Sequence, residues 1–286
     1  MRCPPSAETD VTPYPHWISV TRGTAPLVVS LPHTGTDIPD EFLPDLVSLE
    51  RARKDADWWI HLLYDFAAGL GATVVRTSIS RTVIDVNRDP SGVSLYPGQQ
   101  TTELCPTTTF DGEPLYREGR APDAAAIAAR KAAYFEPYHA VLAAEIAAAK
   151  ARHGVIALYD CHSIRSVIPR LFEGTLPEFN IGTNKGASCD GELESTVRDI
   201  CAGSGRPYVL NGRFTGGYIT RQYGRPAEGV HAVQMELACR AYMSEPLGYV
   251  ADDAWPTPYD PAYAAPVRAT LTQILEACLA FARARA

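Results

Sequence analysis

Two runs of this chain are apolar, rich in β-branched residues, and end in a histidine. Leu27-Val28-Val29-Ser30-Leu31 runs out into Pro32-His33-Thr34-Gly35, and Val155-Ile156-Ala157-Leu158-Tyr159 into Asp160-Cys161-His162-Ser163. Runs of this kind predict strands buried on both faces, and such strands belong to sheets with helices above and below. Helical and strand patterns alternate along the rest of the chain. The expectation is an α/β fold of three layers, α/β/α, around a mixed, largely parallel sheet. The core strands expected are the Leu27, Thr73, Val83, Val155 and Val233 runs. In open sheets of this type, sites form in the crevice beyond the carboxyl ends of the strands, where both histidines fall. A lone histidine there often only satisfies a turn. Two of them suggest a shared metal, since neutral imidazole suits zinc and a strand end fixes its direction.

With 286 residues, 46% of them hydrophobic, the chain has ample material for a core. Its net charge of −7, without a long basic run, argues against a nucleic-acid partner. The seven cysteines are scattered, with no C-x-x-C spacing, so neither a disulfide framework nor a cysteine zinc site is suggested. Cys161 adjoins His162 and invites a reading as a nucleophile. It reads better as a small buried residue, since the sequence names no activating partner. Residues 1–12 lack an apolar core of signal-peptide length and no run approaches a membrane span, so a cytoplasmic location is expected. The sequence is silent on oligomeric state.

Taken in order, the Pro-rich start through Trp17 is expected to be irregular, and Ile18 to Arg22 an edge strand. A helix is expected from Asp55-Ala56-Asp57 through Trp58, Trp59, Leu62, Leu63, Phe66 and Leu70, stopped by Gly71. Asp55 and Asp57 suit a helix N-terminus; alternatively, a carboxylate from this helix start completes a metal shell. Thr82 to Val86 reads as a strand with Asn87 and Arg88 at its exit and Arg81 at its entry. The long Pro-, Gly- and Thr-rich segment 91–119, including Tyr96-Pro97-Gly98, reads as a lid or substrate wall. Residues 122–152 read as a helix broken or kinked at Pro137, with His139 and His153 on its surface. Asp190 caps a helix to about Ala202. Arg213 and Arg221 flank a glycine-bearing loop without a phosphate-cradling motif. Glu236 lies inside an apolar strand, where a carboxylate is costly unless paired, for instance with Arg240, or functional. Residues 261–285 form a closing helix.

Six separated stretches together resemble the N-formylglutamate deformylase (N-formylglutamate amidohydrolase) family. They are Pro32-His33-Thr34-Gly35-Thr36, Lys54-Asp55-Ala56-Asp57-Trp58-Trp59, Ser80-Arg81 through Ser91-Gly92, Asp160-Cys161-His162-Ser163-Ile164-Arg165, Asn211-Gly212-Arg213-Phe214, and Gln234-Met235-Glu236-Leu237-Ala238-Cys239-Arg240. The resemblance spans nearly the whole chain and implies a single catalytic domain, residues 1–286. It also implies membership of a wider group of zinc carboxypeptidase-like and aspartoacylase-like hydrolases, with a phosphorylase/hydrolase-like fold. It assigns His33 and His162 to one zinc ion, Asn87-Arg88 to a substrate carboxylate, and Glu236 to general acid/base work. The wider group carries Glu three residues after its first histidine; this chain has Thr36 there. The acidic ligand must come from elsewhere, Asp57 being the nearest analogue and Asp55 and Asp37 its rivals.

The activity this implies is metal-dependent hydrolysis of N-formyl-L-glutamate to formate and L-glutamate, a step of histidine degradation. The alternatives are a zinc deacylase or carboxypeptidase for another acidic N-acyl amino acid, and a non-catalytic module that binds acidic ligands. For a dicarboxylate substrate, Arg88 with Asn87 is expected to hold one carboxylate and Arg213 or Arg221 the other, with Arg165 a weaker candidate. Arg81 is expected to steady the oxyanion.

Overall fold

The computed structural model describes residues 14–93, 98, 101–246 and 248–285. The Pro-rich start as far as Pro13 and the Tyr96-Pro97 pair lie outside the described residues. Seven strands form one sheet: β1 (Ile18–Thr21), β2 (Leu27–Leu31), β3 (Thr73–Thr77), β4 (Ile156–Ile164), β5 (Phe179–Gly182), β6 (Tyr208–Leu210) and β7 (Val230–Ala238). Their order is β1-β3-β2-β4-β7-β5-β6. The central four, β3, β2, β4 and β7, run parallel. β1 and β5 are antiparallel to β3 and β7, which makes the sheet mixed as expected.

Seven α-helices are described: α1 (Leu49–Arg53), α2 (Ile60–Leu63), α3 (Ala124–Arg130), α4 (Glu136–His153), α5 (Gly191–Gly203), α6 (Tyr218–Tyr223) and α7 (Pro261–Arg283). Strand residues alternate between the two cores that these helices make with the sheet. Leu27, Val29, Tyr159, Cys161, Val233 and Met235 face the core of α2, α5 and α7. Val28, Ile156, Leu158 and Ala232 face the other, against α4 and α6. The two cores, one on each face of the sheet, give the three-layer α/β/α arrangement. Among the described residues, no helix is long and apolar enough to cross a membrane.

Three local expectations are corrected. The run Thr82–Val86 is not a strand. Its N–H groups bond locally or to a neighbouring loop: Val83 to Ser80 (3.0 Å), Asp85 to Leu104 (2.7 Å), and beyond it Arg88 to Asp85 (3.2 Å). The β-branched side chains are buried all the same, as a loop packed under α4. The helix expected across residues 58–70 is only the short α2 followed by a 3-10 turn, Asp65–Leu70, ended at Gly71. Trp59 takes the left-handed conformation (φ 62°) and the Asp57 N–H bonds to the His33 carbonyl (2.9 Å), so the helix cannot begin earlier. His139 is not a surface residue. Its Nε2 meets the Val86 carbonyl (2.8 Å) and its Nδ1 the Tyr223 hydroxyl (2.9 Å), and burial lowers its pKa to about 4. The helix break near Pro137 is present, as a π-helical turn over Lys131–Phe135 that lets the proline enter α4 in its first turn.

Candidate active site

The parallel register of β4 and β7 sets Asp160 beside Gln234 and His162 beside Glu236. Strand alternation then turns these four side chains to the side opposite Tyr159, Cys161 and Met235. Cys161 is thereby fixed in the apolar core, where burial first and Asp160 second push its thiol well above the ordinary range. It is no nucleophile for this cleft.

His33 joins from the turn after β2. Gly35 is needed there: a Cβ would stand 2.4 Å from the Ile79 carbonyl oxygen, so only glycine lets the exits of β2 and β3 approach this closely. The backbone bond between Asp57 and His33 brings the Asp57 carboxylate between the two imidazoles. Asp57 Oδ2 lies 3.0 Å from His162 Nδ1 and 3.7 Å from His33 Nδ1, and the ring centroids are 4.8 Å apart. Each histidine has its other nitrogen on a second buried carboxylate: His33 Nε2 on Asp85 (2.7 Å) and His162 Nε2 on Asp160 (3.0 Å). This is the pattern by which carboxylates orient metal-binding imidazoles.

The residues fit a metal ion. One ligand atom from each of His33, Asp57 and His162 lies within 4.8 Å of the others, and all three residues are buried. His33 Nδ1 and Asp57 Oδ1 are buried without a hydrogen-bond partner, a costly state unless something binds there. Burial, aided by Arg81, lowers the His33 pKa. Asp85 is held well below the carboxylate range: burial opposes this, but His33, Arg81 and Arg88 outweigh it. A proton on His33 Nε2, shared with Asp85 at 2.7 Å, leaves the Nδ1 lone pair turned to the site. His162 behaves oppositely. Burial opposes its charge, but Asp160 and Asp57 raise its pKa well above the ordinary value.

Glu236 borders the same cleft, with His33, Arg81, Asn87, Arg88, Phe110, His162, Arg213 and Gln234 also in its lining. Burial pushes its carboxyl up to about 8; His162 opposes this and Asp57 adds to it. A group so placed exchanges protons near neutral pH, as a general acid/base must. Arg240 does not pair with it, bonding instead to the Leu176 carbonyl and lying 3.9 Å from Glu178.

A family model described as N-formylglutamate amidohydrolase matches residues 25–243, a span that holds every residue of this constellation. The chain belongs to the N-formylglutamate amidohydrolase family. It is 47% identical over 271 residues to the N-formylglutamate deformylase of Pseudomonas aeruginosa, covering 94% of this chain and 98% of that protein. It is 45% identical over 271 residues to the deformylase of Pseudomonas putida, covering 94% and 97%. The fold matches the crystal structure of N-formylglutamate amidohydrolase from Ralstonia eutropha with a TM-score of 0.76 at 23% identity, covering 94% of this chain and 99% of that one.

Within this amidohydrolase-family chain, the three rivals for the acidic position separate. Asp57 sits between the histidines. Asp55 accepts the Phe110 N–H (2.6 Å), and Asp37 is exposed, paired through its backbone with Ile79. Arg88 and Arg213 line the cleft, whereas Arg221 bonds to the Gly216 carbonyl and the Thr215 hydroxyl and is not among the described residues lining it. Arg165 pairs with Asp111 (2.8 Å) behind the cleft. Asn87 lines the cleft with its amide already engaged: Oδ1 accepts from Ile219 N–H (2.7 Å) and Nδ2 faces Asp160 (3.2 Å) and His162 (2.8 Å). Gly217 admits it, since a Cβ there would fall 2.5 Å from the amide.

Two residues escaped sequence reasoning in their roles: Asp85 and Asp160. Each carboxylate stands in an apolar stretch, as Glu236 does, and Asp160 sits two residues before His162 on the same strand face. That i, i+2 spacing was the available signal.

Proposed function

We propose that this chain hydrolyses N-formyl-L-glutamate to formate and L-glutamate with one zinc ion held by His33, Asp57 and His162. The observation that carries the reading is the buried trio itself, two of whose members, His33 and His162, line a cleft that Glu236 borders, in a chain of this family. Two imidazoles and a carboxylate are a catalytic zinc donor set. When bound, the cation supplies Lewis acidity toward the formyl carbonyl and makes water acidic enough to act near neutral pH.

The protein's own groups do the rest. Arg88, whose Nη2 also bonds Thr102 (3.0 Å), and Arg213 hold the two carboxylates of the substrate. Arg81 is fixed by Asp85 (2.5 Å), with its guanidinium over the Phe110 ring, and brings preorganised charge to the developing oxyanion. Gln234 takes the Gly217 N–H on Oε1 (2.7 Å), which turns its NH2 toward Glu236 (3.4 Å). Glu236 takes the water proton and delivers it to the leaving nitrogen. Asn87 is a positioning residue that keeps Asp160 and His162 in place. The reading treats the chain as one catalytic domain, since α7, beyond the matched residues, packs into the same core as β2, β4 and β7. It also sets the reaction in the cytoplasm.

The test is formate release from N-formylglutamate, with N-acetyl- and N-succinylglutamate as competitors, before and after chelation and zinc restoration. Formate release that is lost with the metal and restored by zinc is expected. Full activity after complete metal removal, or no formate at all, overturns the reading.

A further inference from the structure

One wall of the cleft is apolar: Phe110, Ile164, Leu171 and Phe214. Phe110 is linked to the His33, Asp57 and His162 trio through Arg81. The Arg81 guanidinium carbon lies 4.8 Å from its ring centroid, and the same guanidinium reaches to 3.7 Å from Asp57. Ile164 stands two residues after His162 on the same face of β4. Behind them, Ile168, Leu176 and Ala238 back the wall in a small cluster separate from the two main cores.

The turn that carries Phe110 is held with unusual force. Its backbone closes on itself, Thr109 N–H to Glu113 (2.8 Å) and Gly112 N–H to Thr109 (2.9 Å). Asp55, its side chain 11% exposed, accepts the Phe110 N–H at 2.6 Å. The next residue, Asp111, pairs with the buried cations Arg165 (2.8 Å) and Lys54 (3.2 Å), and Lys54 continues to Glu113 (2.7 Å). Burying two cations around one short surface turn is costly. A loop that merely bridged two elements would not need it. What the clamp achieves is a fixed backbone under the Phe110 ring, which lines the cleft with Arg81 against its face.

Resting on the proposed amide hydrolysis, we propose that Phe110 is the residue that restricts the acyl group to formyl, with Lys54, Asp55 and Arg165 as the positioning residues that keep its ring in place. A formyl carbon carries only hydrogen toward this wall; an acetyl carbon carries a methyl. A wall free to shift would admit the methyl at little cost, whereas a fixed one rejects it by overlap. One methyl-sized difference in a packed pocket is worth about 10–200-fold in kcat/KM.

The experiment compares kcat/KM for N-formyl-, N-acetyl- and N-propionylglutamate in the zinc-loaded wild type, Phe110→Ala, Phe110→Leu and Asp55→Asn, with zinc content measured for each. The formyl-over-acetyl ratio should fall about 10–200-fold in Phe110→Ala, and by less in Phe110→Leu and Asp55→Asn, at unchanged zinc content. An unchanged ratio in Phe110→Ala, or in folded Phe110→Leu if the alanine variant does not fold, overturns the proposal, as does an equal loss on all substrates. Formate released by the wild type with an unchanged variant ratio defeats this inference alone. No formate from the wild type defeats the functional reading and this inference with it.

Discussion

Asp160→Asn is the change that most directly tests how the metal-binding group is built. Asp160 is fully buried; one of its oxygens takes both His162 Nε2 (3.0 Å) and Asn87 Nδ2 (3.2 Å), and the other has no partner. Asparagine keeps the shape and one acceptor oxygen but removes the charge. The His162 ring then loses the anion that fixes its tautomer and enriches its Nδ1 lone pair. Outer partners of this kind are worth about 10–100-fold in metal affinity, which is about 1.4–2.7 kcal/mol. The assay is zinc competition against a chromophoric chelator, with thermal unfolding of the zinc-free protein as a control for folding. Asp57→Asn, the loss of a proposed ligand, should abolish measurable binding under the same conditions, while Asp55→Asn and Asp37→Asn should bind zinc like the wild type. Wild-type zinc affinity in folded Asp160→Asn would refute the assigned support role, and wild-type affinity in Asp57→Asn would refute the trio itself.

Glu236→Gln should retain zinc and substrate affinity and lose about 10²–10⁴-fold in kcat; near-normal turnover in a steady-state assay would remove Glu236 as the proton carrier. Arg88→Ala should lower kcat/KM for N-formylglutamate by about 30-fold, roughly 2 kcal/mol for a partly exposed carboxylate contact, and should do less to a neutral N-formyl amino acid; an unchanged preference between the two contradicts the role. His139 predicts a pH dependence of stability. Its pKa is about 4 when folded against 6.5 in its ordinary state, so below pH 6.5 the unfolded chain takes up the proton first. Stability is therefore full above pH 6.5 and falls as pH drops toward 4, by at most about 2 kcal/mol between pH 6.5 and 5. Denaturant midpoints at pH 7.5 and 5 measure it, and His139→Gln should flatten that part of the curve; the same curve for both proteins would count against it.

The strands and their histidines were legible because burial on both faces leaves an apolar run that only a covered sheet explains. Glu236 was legible for the converse reason, a charge where the pattern demanded none. The Thr82–Val86 run misled because β-branched residues report burial, and a buried loop whose N–H groups bond within it or to a neighbouring loop looks the same in sequence as a strand. The helix over residues 58–70 failed at Trp59, whose positive φ answers to the clip between Asp57 and His33, a tertiary contact no local pattern records. The rivalry among Asp37, Asp55 and Asp57 had the same origin. Asp55 and Asp57 are near neighbours in a turn, yet one faces the imidazoles and the other the Phe110 turn. Arg221 looked like a substrate contact because charge beside glycines suggests an anion; it instead ties down the loop that carries it.

The position of β7 in the sheet has a consequence for the order in which the molecule matures. His33, Asp57 and His162 all lie in the first 162 residues, whereas Glu236 arrives on a strand that must slot between β4 and β5 after both have been synthesised. On the proposed mechanism, the three residues that would hold the cation are thus all synthesised before Glu236, the proposed proton carrier. Until β7 fills the gap, the sheet is two unjoined parts, β1-β3-β2-β4 and β5-β6. On that mechanism, hydrolytic competence therefore waits on closure of the sheet, since Glu236 reaches the cleft only on β7.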